Sequence, residues 1–397
     1  MKLLIVAGGG GHFVAALAVM QKLPKDWEIV VVGRQYALEG DTALSLEYQT
    51  CEKLGIPFET LTTGRLQRKF SARTLASLLK IPAGLNQARK ILAKHNPDLI
   101  LSFGGYVSVP IVAAAALSRL PIVVHEQTHH AGLANKLAAK FAAKICISWD
   151  DSQKFFPPEK TILTGNPLRK EFLSAQSLKP PHPAHAIIKK VLQNLPKGAL
   201  ITSHKKVPTI YITGGSAGAH GINILIEGCL ERLLTKYKVV HQTGDASEYK
   251  DYDRLKSFSE TLPEGLQKRY MLYKFIDSEK VADLLNEADL VISRAGINTV
   301  TELLFLGKPS LLIPLPYGQH NEQLTNALFV KKLGLAEIVE QDHIDSIFLQ
   351  SRIDTMMQNL SSYRKNGEAA RSLVRVDAAE KIAAVVNDVY SQKKNEN

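Results

Sequence analysis

The chain has 397 residues, 45% hydrophobic and 22% charged, which suits two domains of ordinary size and excludes a disordered or low-complexity protein. A formal net charge of +11 implies an anionic partner: nucleic acid, a membrane surface or a phosphorylated ligand. No apolar run reaches the roughly 18 residues of a membrane span, and Cys51, Cys146 and Cys229 have neither disulfide-framework nor zinc-motif spacing, so they read as core thiols.

Short β-branched runs alternate with helical patterns, the signature of βαβ units. The first run, 3–7, leads into four glycines at 8–11 and then His12. The dinucleotide pattern G-x-G-x-x-G fails there, because its third glycine falls on Phe13 or Val14, and the strand at 27–33 ends on Arg34 rather than an acid. No GK[ST] follows, so a P-loop is excluded as well. Two readings remain: a loop whose amides approach a ligand at a helix N-terminus, or a tight turn capped by the histidine.

After a strand at 57–61, the span from Thr60 to Pro97 holds no Asp or Glu, yet carries Arg65, Arg68, Lys69, Arg73, Lys80, Arg89, Lys90 and Lys94. Leu66, Phe70, Leu75, Leu78, Leu79, Ile81 and Leu85 are interleaved with them. This basic, apolar pattern suits the surface of an anionic bilayer and lacks the aromatic spacing of single-strand nucleic-acid binders; an ordinary basic helix packed by its leucines fits it too.

Strands at 99–103, 122–126, 144–148 and 161–165 complete the first domain. A glycine pair opens "GGYVSVP" at 104–110, and "HEQTHHAGLANK" puts His125 and Glu126 at a strand end as a potential base or orienting pair. His129 and His130 lack partners at zinc spacing. A segment rich in Pro, Lys and His, 177–208, reads as a linker containing a short helix.

The rhythm resumes with strands at 209–215, 238–244, 270–276, 290–294, 310–316 and 336–340. "GGSAGAHG" at 214–221 sets the Ser216 hydroxyl beside backbone amides, a donor set for a diphosphate. "DYD" at 251–253 matches a metal-dependent DxD signature in form only and reads as a solvated helix face. In "RAGINTVTELLF" Gly296 makes a turn, Thr299 lies near the helix start, and Glu302 sits among apolar neighbours, where ribose hydroxyls would satisfy it. Gln319, His320, Glu322, Gln323 and Asn326 gather at the next helix entry, where amides can read sugar hydroxyls. The chain ends in an amphipathic helix and a polar tail. The fold class expected is α/β: two Rossmann-like doubly wound parallel-sheet domains facing a central cleft, with ligands beyond the carboxyl ends of the strands.

In order, "GGGGH", "FGGYVSVP", "HEQTHHAGLANK", "GNPLR", "GGSAGA", "FID", "RAGINTVTELLFLGKPSLLIP" and "EQLTNA" resemble the MurG family of peptidoglycan N-acetylglucosaminyltransferases, in glycosyltransferase family 28, from Lys2 to about Gln341. The resemblance implies a GT-B fold: an acceptor- and membrane-binding domain at 1–165, a linker at 166–207, a UDP-sugar domain at 208–375 and a C-terminal helix and tail at 376–397. It implies inverting transfer of N-acetylglucosamine from UDP-N-acetylglucosamine to the C4 hydroxyl of the muramic acid of lipid I, giving lipid II. The enzyme would act peripherally at the cytoplasmic face of the bacterial cell membrane, on its anionic surface, with no cofactor, metal or nucleic acid.

By the same resemblance, His12 is the candidate base, with Glu126 beside it, and Gly10, Gly11, Tyr106 and Thr128 line the acceptor side. The nucleotide sugar falls to Arg169, Gly215, Ser216, Phe275, Ile276, Thr299, Glu302, Glu322, Gln323 and Asn326. This chain departs from the family pattern in a first loop one residue short, in Ala15 for a proline, and in Val109, Thr128, Ala217 and Glu322. A UDP-N-acetylglucosamine 2-epimerase, a related transferase acting on another lipid and a nucleotide-sugar binder without activity are the competing readings.

Overall fold

The computed structural model describes the chain apart from residues 37–43, 63–71, 178–206, 216–217, 245, 247, 317–320 and 397. It divides into two units: Met1–Arg169 with Arg375–Asn397, and Lys170–Val374.

The first unit holds a seven-stranded sheet in the order β3-β2-β1-β4-β5-β6-β7, every neighbouring pair parallel. Its strands are β1 (Lys2–Val6), β2 (Glu28–Gly33), β3 (Phe58–Thr60), β4 (Leu99–Ser102), β5 (Ile122–Glu126), β6 (Lys144–Ile147) and β7 (Thr161–Leu163). The connecting helices used below are α1 (Gly10–Met20), α2 (Leu46–Leu54), α3 (Ala72–His95), α4 (Ser108–Leu117) and α5 (Leu133–Ala139). β1, β4 and β5 are apolar almost throughout and buried, as a sheet covered on both faces requires.

The second unit repeats the plan with six strands, order β10-β9-β8-β11-β12-β13, again all parallel. These are β8 (Thr209–Thr213), β9 (Lys238–Gln242), β10 (Tyr270–Tyr273), β11 (Leu290–Ser293), β12 (Ser310–Leu312) and β13 (Ala336–Ile338). In both sheets the chain first winds outward on one side and then returns to the other side of its starting strand. The reversal falls between β1 and β4, and between β8 and β11, the position where helices diverge and open α/β sheets bind ligands.

All thirteen strands expected from the sequence are present. Most expected runs extend past the end of the ladder: Phe103, Ile313 and Val339 are buried but no longer paired as strand. The three cysteines are free and buried, and desolvation pushes each thiol up to about 12.

The C-terminal helix Ala378–Glu396 packs in the first unit. Ile382 and Val386 are fully buried in one cluster with Leu3, Ile5, Phe13, Val19 and Cys146, and Tyr390 meets Trp27 edge-on at 6.4 Å between ring centroids. Removing a buried isoleucine forfeits its transfer energy and leaves a cavity, together about 2–5 kcal/mol. Ile382→Ala should therefore destabilise the first unit by that amount. The chain's two tryptophans, Trp27 and Trp149, both lie in that unit, so denaturant unfolding followed by tryptophan fluorescence reads the effect directly.

Candidate functional site

At the first reversal the loops after β1 and β4 touch backbone to backbone. The Gly8 N–H donates to the Gly104 carbonyl at 3.2 Å. A Cβ on Gly8 would lie 2.9 Å from Gly105 Cα, and one on Gly105 would lie 2.8 Å from Gly8 Cα. Gly104 and Gly105 also hold φ of 92° and 81°, a region open to glycine and strained for other residues.

This approach sets the start of α1 at Gly10, after Gly9 at φ 137°, with no side chain capping the helix. Gly10, Gly11 and His12 form its first turn. The His12 ring is half-buried, and desolvation, with the Arg34 guanidinium adding to it, pushes its pKa down to about 4. The imidazole is therefore neutral at physiological pH and able to accept a proton. Tyr106, half-buried, stands just beyond the Gly104–Gly105 turn.

Glu126 ends β5 and is 3% exposed. Its Oε1 accepts from the Thr128 N–H at 3.0 Å and lies 2.8 Å from the Thr128 hydroxyl. Its Oε2 accepts from the Gly132 N–H at 2.9 Å and from Asn135 Nδ2 at 3.0 Å. These four contacts hold the loop from β5 to α5 around the Glu126 carboxyl. Asn135, not singled out from the sequence, also donates to the His125 carbonyl at 3.1 Å.

His125 is fully buried. Its Nε2 lies 3.3 Å from the Gly165 carbonyl and 3.1 Å from the Ser148 hydroxyl. Burial pushes its pKa down to about 4.

In the second unit the loop after β8 is built on the same close approach. A Cβ on Gly214 would fall 2.2 Å from the Ala219 nitrogen, and one on Gly218, at φ 78°, 2.0 Å from the Thr243 carbonyl oxygen. Gly215, at φ 84°, faces open space instead; its N–H is held by Thr213 Oγ1 at 3.0 Å and its carbonyl by Gln242 Nε2 at 3.1 Å. Ser216, Gln319 and His320 lie outside the described residues.

Beyond β11, Gly296 caps the helix Ile297–Leu306 with no side-chain hydrogen bond, and a Cβ there would meet nothing within 4 Å. Thr299 lies in the first turn, and Glu302, 5% exposed, in the second. Asn326, fully buried on the helix Glu322–Lys332, donates to the Ala295 carbonyl at 3.0 Å, while its Oδ1 has no hydrogen-bond partner among the described residues. Gln323 accepts from the Leu315 N–H at 2.9 Å, and Glu322 opens the same helix. Arg294 ties these loops together through the carbonyls of Ile313 (3.0 Å) and Pro314 (3.2 Å) and through Gln341 Oε1 (2.6 Å).

Gly215 thus follows β8, Thr299 and Glu302 follow β11, and Gln323 and Asn326 follow β12, with Asn326 tied to the loop after β11 through Ala295. Phe275, half exposed, and buried Ile276 follow β10 at the edge of the sheet, and Arg169 is the last residue of the first unit before the crossing.

In the "DYD" segment Asp253 is exposed, as a solvated helix face requires, but Asp251 departs from that expectation. Asp251 is buried, accepting from Asn223 Nδ2 and Arg254 Nη2, both at 2.7 Å, with His220 Nδ1 at 2.8 Å. These donors hold its carboxyl below the usual range although burial alone would raise it. Asn223 Oδ1 in turn meets His241 Nε2 at 3.0 Å. The network braces the helix His220–Glu227 behind the glycine loop.

With this geometry described, relatives and fold neighbours can be set beside it. Residues 3–147 match the N-terminal domain of glycosyltransferase family 28, and residues 209–384 its C-terminal domain. The chain is 32% identical over 373 residues to the UDP-N-acetylglucosamine–N-acetylmuramyl-(pentapeptide) pyrophosphoryl-undecaprenol N-acetylglucosamine transferase of Clostridium botulinum, covering 92% of this chain and 94% of that one. A Bacillus cereus protein with the same description is 31% identical over 396 residues, covering 98% and 99%.

Among solved structures, Acinetobacter baumannii MurG superposes with a TM-score of 0.67 at 24% identity, over 98% of this chain and all of that one. The UDP-GlcNAc 2-epimerase of Neisseria meningitidis reaches 0.62 at 15%, with the same coverage; these likenesses concern the fold, which is GT-B. Both family domains and relatives matched nearly end to end place the chain in glycosyltransferase family 28.

Proposed function

We propose that this protein transfers N-acetylglucosamine from UDP-N-acetylglucosamine to the C4 hydroxyl of a lipid-linked muramyl-pentapeptide, with inversion at the anomeric carbon. One observation carries the reading: transferases of that description match 92% of the chain, and the two family domains span residues 3–147 and 209–384, which hold both sheet reversals.

In this mechanism neutral His12 takes the proton of the acceptor hydroxyl as the oxygen attacks the anomeric carbon and the bond to the UDP oxygen breaks. Gly10, Gly11, Tyr106 and Thr128 line the acceptor side. Glu126 keeps the β5–α5 loop in place. On the donor side the amides around Gly215 and the start of Ile297–Leu306, which no side chain caps, meet the charge that develops on the leaving diphosphate; they are aligned beforehand by the fold. Ser216 adds a hydroxyl to that set and Thr299 lies beside it. Glu302 binds the ribose, Phe275 and Ile276 the uracil, Glu322, Gln323 and Asn326 the sugar, and Arg169 approaches the nucleotide.

The same reading places the enzyme on the anionic cytoplasmic face of the membrane. Among the described residues no helix is long and apolar enough to cross a bilayer. The basic stretch expected to make the contact lies partly outside the described residues, at 63–71. However, α4 packs on α3 and α5 on α4, and these two helices expose Leu117, Leu133 and Leu137, with Phe141 just beyond, together with exposed Lys136 and Lys140. Apolar side chains among lysines suit an interfacial surface.

The transfer is tested by UDP release from UDP-N-acetylglucosamine with and without lipid-linked muramyl-pentapeptide. Acceptor-dependent UDP together with the disaccharide product is expected; UDP-N-acetylmannosamine formed without acceptor would replace this reading with the epimerase. His12→Ala should cost about 10²–10⁴-fold in kcat and leave UDP affinity, measured by calorimetry, unchanged.

The pH dependence follows from His12. Its pKa is about 4 in the free protein, and the protonated form cannot act as base, so kcat/KM should show no acid limb from His12 between pH 6 and 8. A loss centred near 6.5 would mean that the base is an unperturbed histidine.

For the membrane, each basic residue near an anionic surface contributes about 1 kcal/mol. Lys136→Glu with Lys140→Glu should weaken sedimentation with phosphatidylglycerol vesicles by at least about tenfold, while soluble UDP binding stays as it was. Equal sedimentation of variant and parent would remove this face from the contact.

A further inference from the structure

Arg34 is the first residue after β2, and Glu47 lies in the first turn of α2. Ser45, which caps α2 by accepting from the Tyr48 N–H at 3.1 Å, also donates its hydroxyl to the Arg34 carbonyl at 2.5 Å. The arginine backbone is thereby fixed to the start of the helix. Its side chain reaches the glycine loop: a Cβ on Gly9 would sit 3.0 Å from Arg34 Nη2, and one on Gly10 would sit 3.6 Å from Leu46 Cδ2. The turn that launches His12 therefore rests on Arg34 and Leu46.

Beneath the guanidinium is an unusual carboxylate. Glu47 is 1% exposed, Arg34 Nε is 3.6 Å from its Oε1, and neither oxygen has a hydrogen-bond partner among the described residues. Burial raises the Glu47 pKa in spite of Arg34. A buried pair without hydrogen bonds recovers little of its desolvation cost, and an apolar pair of similar volume would fill the space more favourably. Stability therefore does not account for it. Among the described residues, the charged and titratable groups whose charge bears on His12 are Arg34 from the end of β2 and His125 from β5, with Glu47 on α2 behind the arginine.

We propose that Arg34, seated over the buried carboxylate of Glu47, is a positioning residue for His12: it braces the glycine turn from which the helix bearing the imidazole starts, and its fixed positive charge beside that turn adds to burial in disfavouring the imidazolium. The proposal rests on the reading of His12 as general base, but its central element, electrostatic coupling between the two side chains, can be measured without turnover.

The experiment is a pH titration of ¹³C-histidine-labelled protein by NMR, the His12 signal being the one absent from His12→Gln. In the parent this signal should not titrate above about pH 5, given a pKa of about 4. In Arg34→Gln the midpoint should rise by about one unit, and in Arg34→Met, which keeps the apolar stem, by the same amount. Arg34→Lys, which keeps the charge, should stay with the parent. The two neutral variants are independent routes to one answer, so the failure of one to fold leaves the other to decide.

In the transferase assay the acid limb of kcat/KM should move up by the same interval in the neutral variants and return in Arg34→Lys, with the KM for UDP-N-acetylglucosamine unchanged. A merely structural arginine would lower the melting temperature and leave the limb where it was. A His12 midpoint identical in parent and folded neutral variant, or displaced equally in Arg34→Lys and Arg34→Gln, overturns the proposal. Absence of transfer by the parent, with the NMR shift present, would overturn the transferase reading and leave the coupling standing.

Discussion

The structure of the first unit depends on an approach of two backbones that leaves no room for a side chain. Gly8 and Gly105 stand so close that a methyl group on either would come within 3 Å of the other's Cα. That contact lets the turns after β1 and β4 lie side by side at the sheet reversal and sets where α1 begins. His12 has a defined position only because the turn before it does. The second unit repeats the solution with Gly214 and Gly218, packed against the backbone of Ala219 and Thr243. Glycine at these positions is a steric requirement first; its conformational freedom serves that requirement.

Around these turns, polar groups are buried in a way that fixes their charge state. His125 and His241, both fully buried, have pKa values pushed down to about 4 and about 3 by desolvation. Glu126 remains compatible with burial because four donors from its own loop and from α5 surround it. Asp251 is held the same way by three partners from two helices.

The sequence made the sheets legible because alternation of β-branched runs with glycine-opened turns is local. Its strands ran long because apolar character reports burial, not ladder pairing: Phe103 and Ile313 stay buried after the chain has left the sheet. His12 could be singled out from its place after a glycine run. The partners of Glu126 could not, since Gly132 and Asn135 come around only when the loop folds back. Asp251 was misread although the signal was present. It lies four residues before Leu255 on one helix, hence on the same buried face, and a helical-face test would have placed it inside. The C-terminal helix was readable as amphipathic, but nothing local says that its apolar face belongs to the first unit's core.

The two reversals share a topology and differ in chemistry, and the difference lies in where each spends its arginine. Arg294, directly after β11, is bound to two carbonyls and to Gln341, so its positive charge goes into holding loops together. The surroundings it aligns are amides and hydroxyls, groups that bind without exchanging protons. Arg34, directly after β2, is set over a carboxylate that does not fully balance it and against a turn carrying an imidazole. A fixed cation beside a histidine lowers the affinity of that ring for a proton, which holds it neutral but also makes it a weaker base. A transfer that forms imidazolium there gains if negative charge from a bound acceptor offsets the arginine as the proton moves. On the proposed mechanism, the second unit supplies mostly backbone amides and side-chain donors for the donor sugar, while the first supplies the imidazole that takes the proton.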